Sequence, residues 1–359
     1  MTTDVDKKIP SLIYRIPPSV YPVAGLVLAL VAGGLLISLS GFPPLKAYAA
    51  MLESAFGNKN GIGETLLKTS PLLLASLGVA VAFKGNVISI GAEGQIYMGA
   101  IGATYVGLFM GDLRPIVGIP LALLAGFFLG AIWGGIASFF KLRFGANEII
   151  ITLMMNYVAI EFTKYLVNGP WRDPSHTEPF SAPIIDGAEL PYLLEGTRLH
   201  AGIIVAVLAT AILWWVLKNT IFGYQLTVLG ANIRTAEYAG VKTTRLILIT
   251  MLISGGLCGL AGVSELSGVH HRLIEDLSPG YGYTAIAIAL LGRFKPWSIM
   301  VSAILFAGLT VGVQGMQQAA GVPVSAALIL QGLVLLFVVA GIMVQQRQEI
   351  AAQKREVCD

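Results

Sequence analysis

Apolar runs of about 20 residues recur along this chain, and each is the length that carries an α-helix across a hydrocarbon core. They can be drawn at residues 20–40, 65–83, 93–110, 116–140, 149–167, 201–217, 246–267, 279–292, 297–318 and 323–344. Lipid offers no water to backbone N–H and C=O groups, so each run must close its own hydrogen bonds as a helix. Composition agrees: 55% of residues are hydrophobic and 12% are charged. Mean hydropathy is +0.77, and a soluble chain carries about twice that charge fraction. The expected fold is all-α: a polytopic transmembrane bundle of about ten spans over 20–344, with polar tails at 1–19 and 345–359. Ala47-Tyr48-Ala49 imitates a signal-peptidase site. The first apolar run is longer than a signal peptide's core, so it is expected to be retained as a span.

Two stretches interrupt the pattern, and broken or short helices are expected near 84–95 and 277–292. In the second, only Tyr283–Leu291 is continuously apolar. In the first, Gly85–Ala100 places Glu93, Asn86 and Gln95 among four glycines. A carboxylate at membrane depth is costly and usually functional. Irregular backbone survives there only inside protein or beside a cavity. The segment therefore reads as a re-entrant, cavity-lining element of a transporter, or as a turn between two spans with Glu93 solvated. Asn156, in an apolar run, is either a bond between helices or a cavity residue.

Lys and Arg set the expected orientation. With the N-terminus inside, 15 of the 23 Lys and Arg residues fall on inner segments, among them Lys84, Lys141, Arg143, Lys218, Lys242, Arg245, Arg293 and Lys295. This favours N-in, C-in and an even number of crossings. A net charge of +3 gives no case for nucleic acid.

Gly230–Val241 is the second informative stretch. Asn232 is a good N-cap and Gly240 a good stop, so a helix of about two turns is expected between them. A helix that short is marginal in water. It must either dock on a partner through Arg234, Glu237 and Tyr238 or pack on its own spans. Glycines spaced by four at Gly126, Gly130 and Gly134, at Gly255 and Gly259, and at Gly308 and Gly312 predict close helix packing. Glu148 after Asn147 suits a helix start. Glu161 is placed to pair with Lys164. Glu265 is expected near the outer end of its span, in contact with water.

Catalytic motifs are missing. Gly57-Asn58-Lys59-Asn60-Gly61 lacks the spacing of a phosphate loop, and Gly262-Val263-Ser264-Glu265-Leu266 lacks the second glycine of a nucleophile elbow. The adjacent His270 and His271 cannot face one metal from a helix. Neither a metal nor a cofactor is expected.

Four segments occur in order: Asn86–Ala100 with its Gly-Ala-Glu-Gly-Gln core, Ala146–Tyr157, Gly230–Val241 and Gly255–Gly262. Together they resemble the permease family of bacterial ABC importers for ribose, other simple sugars, nucleosides and branched-chain amino acids. Ile90–Gln95 with Leu153–Tyr157 is most similar to the nucleoside-importer branch. The resemblance covers about residues 20–344. It implies a multi-pass permease of the bacterial plasma membrane without ATPase activity of its own. The implied partners are a second permease subunit, a cytoplasmic ABC ATPase and an extracytoplasmic substrate-binding protein. It also implies a translocation path at Asn86, Glu93, Gln95 and Asn156. ATPase coupling would fall to Gly230, Asn232, Arg234, Glu237, Tyr238 and Gly240. The competing class is an ion-coupled secondary transporter using Glu93 or Glu161, which would not need the Gly230–Val241 helix.

Overall fold

The computed structural model describes residues 20–345 apart from 112, 176, 324, 326–328, 335, 338 and 342. The tail at 1–19 and all of the C-terminal tail but Gln345 lie outside the described residues. The described chain is helical, with three isolated β-bridges and no named strand. The helices are α1 (Val20–Leu39), α2 (Pro44–Phe56), α3 (Lys59–Lys84), α4 (Ala92–Phe109), α5 (Pro115–Phe144) and α6 (Glu148–Asn168). They continue with α7 (Gly202–Asn219), α8 (Ile221–Ala231), α9 (Ile233–Tyr238), α10 (Thr243–Glu265), α11 (Tyr281–Leu291) and α12 (Pro296–Ala320).

Six of these helices are long and apolar enough to cross a membrane: α3, α5, α6, α7, α12 and α10 with its continuation to His270. A bent pair, Val27–Leu39 and Pro44–Phe56, turns by 120° and raises the number to seven if taken as one span. Ile221–Ala231 and Tyr281–Leu291 are apolar helices shorter than these and stand outside the count. The expected all-helical class thus stands, while two of the runs drawn from hydropathy, 93–110 and 279–292, are helices that begin inside the bundle.

The described residues form two compact units, those within 1–54 and 309–359 and those within 55–308. In the first, Tyr48 Oη donates to the Leu30 carbonyl at 2.5 Å. Gly33 lies against Leu330, Gly312 against Met51 and Gly315 against Ser54, places where a Cβ would clash.

The second unit is built around α10, which packs on α3, α4 and α5. The glycine spacing explains the closest of these contacts. A Cβ on Gly255 would strike the Gly130 carbonyl, one on Gly259 the Gly126 carbonyl, and one on Gly134 the Met251 carbonyl at 2.5 Å. Backbone therefore meets backbone along this seam, where dispersion contacts hold helices together without a hydrophobic drive. α3 is buried over most of its length, whereas α5, α6 and α7 keep broad apolar faces exposed.

The long segment 169–200 covers one end of this unit. Its backbone donates from Ser181 to Leu273, from Ile184 to His271, from Ile185 to Gly107 and from Leu190 to Ser267. At the same end Arg198 Nε bonds Glu64 at 2.8 Å.

Candidate functional site

α3 ends at the basic end of the bundle. Asn86 adopts a left-handed conformation, φ +56°. Val87 N–H returns to the Ala82 carbonyl and Asn86 N–H to that of Phe83, both at 3.0 Å. This is the paired-bond stop that Gly or Asn favours at a helix end. Asn86 itself is exposed.

From there the chain runs extended along α6 and is fixed to it at three levels. Ile88 N–H donates to Glu148 Oε1 at 3.0 Å. Ile90 N–H donates to Thr152 Oγ1 at 3.1 Å. One turn further, Asn156 accepts from Gly94 N–H at 2.9 Å and donates to the Ile90 carbonyl at 2.8 Å. Glu148 to Asn156 is eight residues, or about 12 Å at 1.5 Å per residue. The anchors at Ile88, Ile90 and Gly94, the last in the first turn of α4, thus span about 12 Å of α6, and α6 side chains take up hydrogen bonds that a continuous helix would have made. Glu148 also pairs with Lys141, while Asn147 caps α6 through Ile149 N–H at 3.0 Å.

α11 is the counterpart from the opposite end. The chain passes from the bridge between Phe180 and Ile274 to a turn in which Ser278 Oγ accepts from Tyr281 N–H at 3.0 Å. Gly280 is left-handed, φ +88°. Gly282 lies against the backbone of Ala92 and Glu93, where a Cβ would clash. The two helix starts meet there. Glu93, in the first turn of α4, accepts Gly282 N–H through Oε2 at 2.7 Å. The positive ends of two helix dipoles therefore converge on one carboxylate. Among the described residues no Lys, Arg or His side chain pairs with Glu93.

Of the expected path residues, Glu93, Gln95 and Asn156 are together in the bundle interior, each 2% exposed or less. A side chain at Gly134 would meet Gln95 Nε2 at 3.1 Å. Asn156 Nδ2 also reaches Tyr283 Oη at 3.5 Å, and Tyr283 is 42% exposed. Glu93 is thus enclosed and bonded, which excludes the solvated-turn reading. Glu265 corrects a second expectation: it is buried, with Oε2 unbonded and Oε1 3.6 Å from His270 Nε2. The π-helical turn Leu266–His270 follows it directly, and segment 169–200 is bonded to that turn through Leu190 N–H and the Ser267 carbonyl at 2.8 Å. Glu161 pairs with Lys164 at 2.7 Å, as expected.

Sequence reasoning missed Gly282, Thr152 and His200. Gly280-Tyr281-Gly282 after Ser278-Pro279 was the available signal for the first. His200 is buried, accepts Gly202 N–H through Nδ1 at 3.1 Å and presents Nε2 to Gly268. Burial, with a smaller contribution from His271, lowers its pKa from 6.5 to about 4.

The Gly230–Val241 stretch is capped as expected. Asn232 Oδ1 accepts from Arg234 N–H at 2.8 Å, and Gly240 is left-handed, φ +77°. Ala236 is fully buried in a cluster with Ala82, Val87, Leu229 and Met251. Arg234, Glu237 and Tyr238 are exposed, Tyr238 by 94%. Gly230 lies against the Lys84 carbonyl, so close that a Cβ would clash. α8 and α9 thus rest on the end of α3 from which the extended segment starts.

The family profile described as "Branched-chain amino acid transport system / permease component" matches residues 61–339. The guanosine ABC transporter permease protein NupP of Bacillus subtilis is 34% identical over 91% of this chain and 94% of its own length. The glucose ABC transporter permease protein TsgB13 of Haloferax volcanii is 35% identical over 89% of this chain and 86% of its own. The nucleoside ABC transporter permease protein NupB of Lactococcus lactis is 28% identical over 90% and 91%.

Proposed function

The chain belongs to the branched-chain amino acid transport permease family, and on that premise we propose that it is the membrane subunit of an ATP-binding-cassette importer for nucleosides. It crosses the membrane about ten times with both termini in the cytoplasm. It pairs with a second permease subunit, draws on a cytoplasmic ABC ATPase and receives substrate from an extracytoplasmic binding protein. The permease itself hydrolyses nothing.

One observation carries this reading: Tyr238 stands 94% exposed on a six-residue helix whose other face is anchored by fully buried Ala236. A bundle with no cytoplasmic partner gains nothing from an aromatic held out in this way. Aromatic and Arg residues dominate interface hot spots, and Arg234 and Glu237 flank it. α9 and its frame, from Gly230 and Asn232 to Gly240, form the ATPase contact.

The mechanism is alternating access. Movement of α9 presses through Gly230 on the end of α3 at Lys84, and from there on Asn86. The re-entrant segment then shifts along α6, and the Glu93–Gly282 junction moves with it. Asn86, Glu93, Gln95 and Asn156 flank the path. Closure of the ATPase can drive this only if it binds one permease state better than the other.

Two of the relatives named above are called nucleoside or guanosine permeases. The glucose permease is as similar, and it favours a second reading, import of a simple sugar. Competition of unlabelled guanosine and glucose against labelled uptake separates the two. The coupling claim is tested by co-purification of an E237K/Y238A variant with its ATPase. Loss of a hot spot costs about 2 kcal/mol or more, roughly thirtyfold in affinity. The variant should insert and fold, since none of these side chains is buried, yet co-purify weakly and fail to transport. Unchanged co-purification with unchanged uptake would remove Glu237 and Tyr238 from the ATPase contact, whereas failure of the native chain to bind any ATPase would favour an ion-coupled transporter.

A further inference from the structure

The basic end of the second unit contains a cavity lined by no residue of α9 or of the Glu93 junction. About 370 Å³ in volume, it lies between the ends of α3 and α7 and the turn from α11 into α12. Three lysines from three separate elements line it: Lys84, Lys218 and Lys295. No acidic residue does, and among the described residues none of the three ammonium groups has a carboxylate partner. Trp214 and Trp297 complete its walls.

Several features show a built site. Lys218 Nζ lies 5.1 Å from the centre of the Trp214 ring, a cation–π contact that orients the side chain. Arg293 and Phe294 both hold left-handed backbone, φ +50° and +56°. Such geometry in large residues is strained and persists where surrounding structure enforces it. Here Phe294 N–H is bonded to the Ala289 carbonyl at 3.1 Å, and its ring meets Phe83 edge-on at 5.9 Å. The strained turn brings Lys295 to the cavity that Lys84 and Lys218 also line.

Location defines the ligand. Lys84 ends α3, Lys218 falls in the last turn of α7 and Trp297 in the first turn of α12. All three helices are candidate spans, so the cavity lies at the boundary between hydrocarbon and water. Tryptophans 39% and 42% exposed, as Trp214 and Trp297 are, suit that boundary. Basic pockets between spans at this depth suit phosphate-bearing headgroups.

We propose that this cavity binds an anionic phospholipid, with the three lysines on the headgroup phosphate and the two tryptophans beside the glycerol and the first acyl carbons. Charge complementarity and depth identify the occupant. The assignment rests on the reading of this chain as a bilayer-spanning permease; only the choice of leaflet depends on its orientation.

The test uses the full chain in phosphatidylcholine vesicles and quenching of tryptophan by bromine on the acyl chains. Brominated phosphatidylglycerol is compared with brominated phosphatidylcholine. The chain has five tryptophans, so the site signal is the quenching that disappears in a W214F/W297F variant. That signal should prefer phosphatidylglycerol by at least roughly fivefold in mole fraction, the contribution of one lysine at an anionic surface. The preference should vanish in K84Q/K218Q/K295Q and shrink in K218Q and K295Q singly, which guards against failure of the triple variant to fold. Excess inorganic phosphate at constant ionic strength should leave the quenching unchanged. Equal quenching by the two lipids, or a preference unaltered in the single variants, would overturn the proposal. Displacement by phosphate would overturn it in favour of a free-anion site. Neither readout involves transport, so failure here leaves the import reading standing, and failure of import leaves this result intact.

Discussion

The Glu93 carboxylate accepts the backbone N–H of Gly282 at 2.7 Å and so joins the first turns of two helices that start inside the bundle. Replacing Glu93 by Ala leaves that buried donor without a partner, at a cost of about 1–3 kcal/mol. Glu93→Gln keeps an acceptor oxygen but removes the charge on which the two helix dipoles converge. The expected pattern is a lowered melting temperature for Ala, near-native melting for Gln, and impaired uptake in both. Thermal unfolding in detergent and uptake at matched expression measure the two effects. Full uptake by Glu93→Gln would show that a neutral acceptor suffices.

Asn156 makes the corresponding link between α6 and the extended segment before α4. Its replacement by Leu abandons both the Gly94 N–H and the Ile90 carbonyl. Thr152→Val abandons only the Ile90 N–H. Asn156→Leu should therefore lower the melting temperature more, since it abandons a buried and a part-buried group whereas Thr152→Val abandons one part-buried group. Equal loss in the two variants would place the stability of the segment elsewhere.

The glycine seam gives a prediction with its own control. Gly259→Val drives a side chain into the Gly126 carbonyl. Overpacking of this kind costs about 1–3 kcal/mol, occasionally more, and the seam is backbone on both sides, so little can yield. Nothing lies within 4 Å of a Cβ at Gly332, and Gly332→Ala should be close to neutral. The folded fraction on size-exclusion chromatography reads both.

His200 makes stability depend on pH. Its folded pKa, about 4, lies below the ordinary 6.5. As pH falls from 6.5 the unfolded chain takes up a proton that the folded chain refuses, so this contribution to stability is complete above 6.5 and is lost progressively down to about 4. His200→Asn keeps an acceptor for Gly202 N–H and cannot titrate. Its melting temperature should fall less than that of the native chain between pH 6.5 and 4. Parallel curves would contradict the assignment.

Much of this arrangement was legible in the sequence because it rests on local signals. Asn232 and Gly240 framed a helix that the structure places at Ile233–Tyr238. The spacing of Gly126 and Gly130 pointed to a close partner, and Gly255 and Gly259 supplied it. What stayed hidden depends on pairings distant in the chain. Nothing local to Glu93 names Gly282, 189 residues away. Glu265 looked accessible because hydropathy ends its span there, whereas burial of that end depends on segment 169–200 folding over it. The glycine-rich start of 93–110 announced a broken helix, but nothing local to it showed that α6 side chains take up the backbone bonds of Ile88, Ile90 and Gly94.

The source of energy for transport separates an ABC permease from an ion-coupled carrier. Uptake of labelled guanosine is measured in cells whose proton gradient has been collapsed while ATP is maintained, beside cells with the gradient intact and ATP depleted. Uptake should persist in the first and stop in the second. Uptake that follows the proton gradient and ignores ATP would contradict the role given to α9 and make Glu93 a coupling carboxylate.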